Sequence, residues 1–149
     1  VKRYFAAFIS IALLLWATAA AAQGAKTIEN HKVFGDYRVS YSVFNSDFIS
    51  PEIAQHYKLV RARDRAFVNI SVSKIDETKG SSVGVSGNAT NLIQQSRPLE
   101  FKEIRDQGAV YYLAPFRFEH EESLTFNIDL VMPDGSTQEL TFRRQLHKN

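Results

Sequence analysis

A two-residue alternation of apolar and polar side chains runs through most of this chain and leaves little choice of fold. Tyr37, Val39, Tyr41 and Val43 fall on one side of an extended segment, with Arg38, Ser40 and Ser42 on the other. The pattern returns at Ala66, Val68, Ile70 and Val72 opposite Asn69, Ser71 and Ser73. It returns again at Val110, Tyr112, Ala114, Phe116 and Phe118, and at Leu124, Phe126, Ile128 and Leu130. Successive side chains of a strand point to opposite faces, so this period marks strands with one buried and one wet face. Further strands are expected near 28–34, 83–94, 99–105 and 137–146, for a total of about eight.

Turn signals separate these segments. Gly35-Asp36 divides the first two strands, and Gln107-Gly108 precedes the strand over 109–119. In Pro133-Asp134-Gly135-Ser136, proline presets the first turn position and glycine takes the positive φ. Pro115 cannot donate to a ladder, so its strand is expected at an edge or bulged there. One helix interrupts the strands. Ser50 is a natural N-cap, Pro51 suits the first helical position and Glu52 favours the positive end of the dipole, which predicts a short helix near 51–57. Short strands, frequent turns and one connecting helix predict an all-β chain. The expected architecture is a two-sheet antiparallel β-sandwich, immunoglobulin-like in type.

The first 22 residues carry a different signal. Lys2 and Arg3 precede an apolar run from Tyr4 to Trp16, and the small residues of Ala20-x-Ala22 follow. This is the layout of a secretion signal, with cleavage expected between Ala22 and Gln23 in preference to retention as an uncleaved anchor. The expected mature chain is a single domain over 23–149, in the periplasm of a Gram-negative bacterium. The net charge of +2 is that of Lys2 and Arg3, so the mature part is formally neutral. A neutral chain without a basic stripe does not suit nucleic acid. The chain has no cysteine, which excludes disulfides and thiolate chemistry, so burial must supply the stability of an exported domain.

Four groups of residues invite a chemical reading. Gly80-Ser81-Ser82-Val83-Gly84 matches the G-x-S-x-G pattern, but a nucleophile elbow needs a strand before Ser82 and a helix after it. Here a polar turn precedes and an alternating segment follows, which suggests a hairpin turn of small residues. Glu119, His120 and Glu121 gather an imidazole and carboxylates able to ligate a metal. His31, His56 and His147 are distant in sequence, and the alternative is a solvated turn. Arg61, Arg63 and Arg65 alternate. If extended, they face one way and could grip a carboxylate or phosphate; otherwise they belong to an exposed loop paired with Asp64 and the acidic turn at 119–122. Polar outward faces such as Ser40, Ser42, Asn69, Ser71 and Ser73 are the wet side of an antiparallel sheet.

The stretches Ser42 to Ser46 (SVFNS), Asn69-Ile70, Asn91-Leu92, Phe101 to Arg105 (FKEIR) and Tyr111-Tyr112-Leu113 resemble a family of small exported proteobacterial proteins. It is the domain-of-unknown-function 4426 family, and the resemblance spans residues 28–145. It implies a periplasmic single-domain protein and brings no activity, cofactor or catalytic residue. Two functions stay open. One is a non-catalytic envelope module that binds another envelope protein or a small ligand through a sheet edge or the arginine loop. The other is a small metal-dependent or serine hydrolase built on His120 or Ser82. No acid–base–nucleophile set converges in the sequence, which favours the first reading.

Overall fold

The computed structural model describes residues 30–149; the secretion segment and the Ala22–Gln23 junction lie outside the described residues. Among the described residues the alternating segments form nine strands: β1 (His31–Phe34), β2 (Tyr37–Asn45), β3 (Arg65–Lys74), β4 (Gly84–Asn91), β5 (Ser96–Leu99), β6 (Lys102–Asp106), β7 (Ala109–Arg117), β8 (Glu122–Val131) and β9 (Thr137–Leu146). A short 3-10 turn (Ser46–Phe48) and one helix, α1 (Pro51–Tyr57), lie between β2 and β3. The strands pair antiparallel in two sheets, of order β1-β2-β3-β7-β6 and β5-β4-β8-β9. The fold is the expected all-β sandwich.

The faces turned toward each other are those the alternation selects. Val39, Tyr41, Val68, Ile70, Phe116, Phe126 and Ile128 are all buried. Register aligns them across strands: Val39 opposes Val72 and Tyr41 opposes Ile70, while Ala89 opposes Phe126. Aromatic rings then join the sheets. Tyr41 stacks on Phe142 at 4.4 Å, Phe142 on Phe126 at 5.0 Å, and Phe126 meets Phe116 edge-on at 5.3 Å. Aromatic pairs at such spacings add about 0.5–1.5 kcal/mol each beyond burial.

The turns follow their residues. Gln107 and Gly108 both have positive φ, +46° and +86°, the requirement of a tight two-residue hairpin between β6 and β7. At the β8–β9 hairpin, Asp134 Oδ1 accepts from the Ser136 amide at 2.9 Å and hydroxyl at 2.6 Å, with Gly135 at φ +85°. Helix α1 begins where expected: the Ser50 hydroxyl accepts from the Ile53 amide, and Lys58 ends the helix in the left-handed region.

Three expectations need correction. The segment 83–94 does not run through as a strand. Asn91 Oδ1 captures the amides of Ile93 and Gln95, folding 92–95 into a turn that leaves Leu92 and Ile93 exposed at its tip. The segment 99–105 is split at Glu100–Phe101, where the chain leaves β5 in one sheet and enters β6 in the other. These breaks raise the strand number from eight to nine. The strand of Pro115, β7, lies between β3 and β6 and is not a sheet edge. Proline is tolerated because β6 pairs with β7 only as far as Leu113, so residues beyond it face no strand on that side.

Candidate functional site

The outer face of the five-stranded sheet is not uniformly wet. Phe44, Phe67, Leu113 and Ile104 stand on it out of phase with the main core, at positions where register sets Phe44 opposite Phe67 and Tyr111 opposite Ile104. The segment between Ser46 and Ala62 folds back over them. Ser46 is fully buried and pins that segment at its two ends: its Oγ donates to the Ala62 carbonyl at 2.8 Å and accepts from the Ala62 amide at 2.9 Å. Lys102 Nζ donates to the Tyr57 carbonyl at 2.6 Å, a cation at a helix C-terminus. Ile49, Tyr57 and Leu59 from this roof pack on Phe44, Phe67, Ile104 and Leu113 in a second apolar cluster.

The roof leaves a groove. A cavity of about 240 Å³ is lined chiefly by Phe44, Ile53, Tyr57, Ile104, Tyr111 and Leu113. Ile53 is 50% and Tyr111 38% exposed. Two polar side chains join the lining, Asn69 and Asp106. Asn69 Oδ1 is buried and without a hydrogen-bond partner among the described residues, a costly state for an amide oxygen. A mostly apolar concavity with few polar groups is the usual form of a binding site. The groove also borders an open edge: β6 is the last strand of its sheet and supplies Ile104 and Asp106.

Ser82 sits in a segment that crosses from β3 in one sheet to β4 in the other, not in a hairpin turn. Gly80 pairs with Ser73, and a Cβ there would lie 2.6 Å from the Val110 amide nitrogen, so only glycine fits. A strand, not a helix, follows. Ser82 Oγ accepts from Arg105 Nη2 at 2.6 Å. Arg105 also pairs with Glu103, which accepts from the Tyr112 hydroxyl at 3.1 Å; that hydroxyl in turn accepts from the Val83 amide at 2.9 Å. The Arg105 hydrogen bond, against the opposing effect of burial and helped by the Tyr112 hydrogen bond and the Arg105 charge, holds the Glu103 carboxyl below the ordinary carboxylate range. Burial and the neighbouring Glu103 push the Tyr112 hydroxyl up. A serine nucleophile needs a base to take its proton. Its contacts here are the Arg105 guanidinium, which cannot accept one, and the Tyr112 hydroxyl, which is already bonded to Glu103 and to the Val83 amide.

His120 lies in a tight turn in which the Glu122 amide donates to the Glu119 carbonyl and Glu121 takes a φ of +57°. The structure brings His147 next to it, with rings 6.0 Å apart, a proximity the 27-residue separation in sequence conceals. The surrounding groups are already engaged. His120 Nδ1 accepts from the Lys148 amide at 3.1 Å, Glu119 pairs with Lys148 Nζ at 3.0 Å, and Glu121 approaches His120 Nε2 only to 4.0 Å. An imidazole accepting at Nδ1 carries its proton at Nε2, which leaves no lone pair there for a metal. Among the described residues no group of three or more His, Asp or Glu is arranged to hold a metal ion.

Arg61, Arg63 and Arg65 do not share a face. The Arg65 amide donates to the Ala62 carbonyl at 3.2 Å, so Arg63 and Asp64 form a turn and the segment is not extended. Arg61 reaches the Asp47 carbonyl at 3.3 Å, whereas Arg65 opens β3 directly opposite Arg117 of β7. Asp64 approaches Arg117 at 3.9 Å, and Glu122 of the acidic turn pairs with Arg97 at 2.7 Å. The spatial arginine group is therefore Arg65, Arg97 and Arg117. Sequence reasoning missed two of the three because β5 and β7 bring them from far along the chain.

Known proteins agree with this architecture. No curated protein matches the sequence. A solved structure of a DUF4426 family protein from Pseudomonas aeruginosa is 30% identical, covering 80% of this chain and 94% of its own, with a TM-score of 0.73. Two structures of FetP from uropathogenic Escherichia coli share the fold at 8% identity. A copper-bound variant gives a TM-score of 0.59, covering 80% of this chain and 95% of its own. The protein as isolated after expression in the periplasm gives 0.57, covering 80% and 93%. Among the described residues no helix is long and apolar enough to cross a membrane. The family model for the domain of unknown function DUF4426 matches residues 31–149, and the chain belongs to that family.

Proposed function

We propose that this chain is an exported, non-catalytic module of the bacterial periplasm that captures an extended segment of another envelope protein along β6. The observation that carries this reading is the coincidence of an open strand edge with an apolar groove. Main-chain hydrogen bonds to an edge supply affinity in such recognition, and adjacent pockets for alternate side chains supply specificity. The charges of β6 refine the partner. Its sequence, Lys102-Glu103-Ile104-Arg105-Asp106, is charged at every position but one, which discourages indiscriminate edge pairing. On the groove side Ile104 is flanked by Lys102, held by the Tyr57 carbonyl, and by Asp106, whose carboxylate forms no salt bridge or hydrogen bond among the described residues. An antiparallel partner strand fits with an apolar residue opposite Ile104 and a lysine or arginine opposite Asp106.

The arrangement around Ser82 and His120 supports binding over hydrolysis, since neither side chain faces a base or an open ligand set. Selection of a displayed random-peptide library on the folded chain tests the proposal. Enriched peptides should carry that apolar–basic spacing and should slow amide exchange within Lys102–Asp106. Their binding should fall in the double variant Ile53→Ser, Tyr111→Ser, both positions being exposed enough to change without loss of fold. Peptides that leave β6 exchange unchanged, or that bind this double variant equally well, refute it.

A further inference from the structure

We infer that the hollow between Arg65, Arg97 and Arg117 is a carboxylate-binding site, separate from the groove along β6. A cavity of about 230 Å³ is lined by these three arginines together with Pro98, Pro115 and Phe116. Two of the arginines belong to adjacent strands in direct register, Arg65 opposite Arg117. Like charges directly opposed on one face of a sheet destabilise it, so a pair of this kind calls for an anion. The third comes from the other sheet. Arg97 Nη1 donates to the Arg117 carbonyl at 3.1 Å, the carbonyl of the stretch of β7 that β6 does not reach. Its guanidinium is already fixed by two bonds to Glu122, at 3.0 and 2.7 Å.

Charge balance selects the ligand. Three guanidinium charges face two carboxylates: Glu122 fully engages Arg97, and Asp64 stands 3.9 Å from Arg117. One positive charge is left, and among the described residues neither a salt bridge nor a hydrogen bond holds the Arg65 guanidinium. A monoanion closes this balance, whereas a phosphate dianion would overshoot it. A planar carboxylate also matches the two-pronged donor geometry of a guanidinium. The walls of proline and phenylalanine suit an apolar body attached to the acid. Such a group belongs to a free organic acid or to the carboxyl terminus of a polypeptide, and the two sources are separable.

The test is titration of the folded chain at constant ionic strength, followed through backbone amide shifts. The probes are benzoate, a tetrapeptide of three alanines ending in a free phenylalanine carboxylate, benzyl alcohol and inorganic phosphate. Benzoate or the tetrapeptide should give saturable shifts centred on Arg65, Arg97, Phe116 and Arg117, and the tighter of the two identifies the source. Loss of a charge-assisted contact in Arg65→Gln should weaken binding at least about tenfold, while Arg65→Lys, which keeps the charge, should fall between. Equal shifts with benzyl alcohol, tighter binding of phosphate than of either acid, or unchanged affinity in Arg65→Gln would each overturn the assignment. None of these outcomes depends on peptide capture at β6.

Discussion

Replacement of Ser46 by alanine should loosen the whole roof of the groove. Ser46 is fully buried, and its one hydroxyl makes two hydrogen bonds, to the carbonyl and amide of Ala62 at 2.8 and 2.9 Å. The pair is the buried closure of a segment held elsewhere by the Lys102–Tyr57 and Arg61–Asp47 hydrogen bonds and by the packing of Ile49, Tyr57 and Leu59. Removing the hydroxyl strands the Ala62 amide and leaves the Ala62 carbonyl with the Arg65 amide alone, at 3.2 Å. An unpaired buried polar group costs about 1–3 kcal/mol, and Ala62 is only half-buried, so the lower half of that range applies to the amide, while the lost carbonyl bond adds about 0.5–1 kcal/mol. The expected loss is therefore about 1.5–3 kcal/mol, or roughly 5–15 °C in unfolding midpoint for a domain of this size. Scanning calorimetry and urea unfolding measure the global part. Amide exchange over 46–62 measures any part that appears as local opening, where protection should fall first. Ser50→Ala is the internal control: its hydroxyl accepts from the Ile53 amide at 3.3 Å in an exposed bond and also bonds to the Glu52 carboxylate, a helix cap worth about 1 kcal/mol. If Ser46→Ala costs no more than Ser50→Ala and leaves exchange over 46–62 unchanged, the pin does not hold the roof.

Three other perturbations follow from the packing and charge. Phe126→Ala removes a ring stacked on Phe142 at 5.0 Å and meeting Phe116 at 5.3 Å; chemical denaturation should show a loss of about 3–5 kcal/mol, and a loss below about 1 kcal/mol would contradict the register. Gly87→Ala places a methyl onto the Asn127 carbonyl oxygen and 3.0 Å from Ile128 Cα, backbone atoms that cannot rotate away, so it should cost at least about 2 kcal/mol. Burial raises the Glu122 carboxyl, but the Arg97 hydrogen bonds, the Glu119 amide and the Arg97 charge together outweigh it and leave the group below its ordinary value of 4.5. Its stabilisation is therefore complete above that value and is lost as pH falls through the lower folded-state value. Unfolding midpoints measured against pH should show Glu122→Gln about 1–3 kcal/mol less stable at neutral pH, with a flatter acid limb.

How much of this was legible in the sequence depends on the range over which each feature is determined. Alternation is local, and the residues it assigned to the inner faces of β2, β3, β7 and β8 are buried, apart from Tyr37 and Val43 of β2, which are half-buried against the core. Helix α1 was legible for the same reason, since Ser50, Pro51 and Glu52 act within one turn. The first strand break was hidden because Leu92 and Ile93 look like a continued apolar run, whereas the side chain and backbone of Asn91 together turn the chain there. The second apolar cluster left a faint trace: Phe44, Phe67 and Leu113 stand out of phase in otherwise regular strands, which predicts a second covered face once the first is assigned.

The surface groups were the least legible because they are convergences between distant segments. Three alternating arginines looked like one charged face, yet the turn at Arg63–Asp64 disperses them and the register of β3 on β7 builds a different trio around Arg65. His147 reaches His120 only because the chain beyond β9 returns past the 119–122 turn, where the Lys148 amide then occupies Nδ1. These two cases point the same way. The fold supplies engaged partners to the residues that looked reactive and leaves Arg65, Asn69 and Asp106 without them. Under the proposed recognition, these groups supply a donor in the arginine hollow and two acceptors in the groove beside the open strand edge of β6, on which main-chain pairing with a partner would depend.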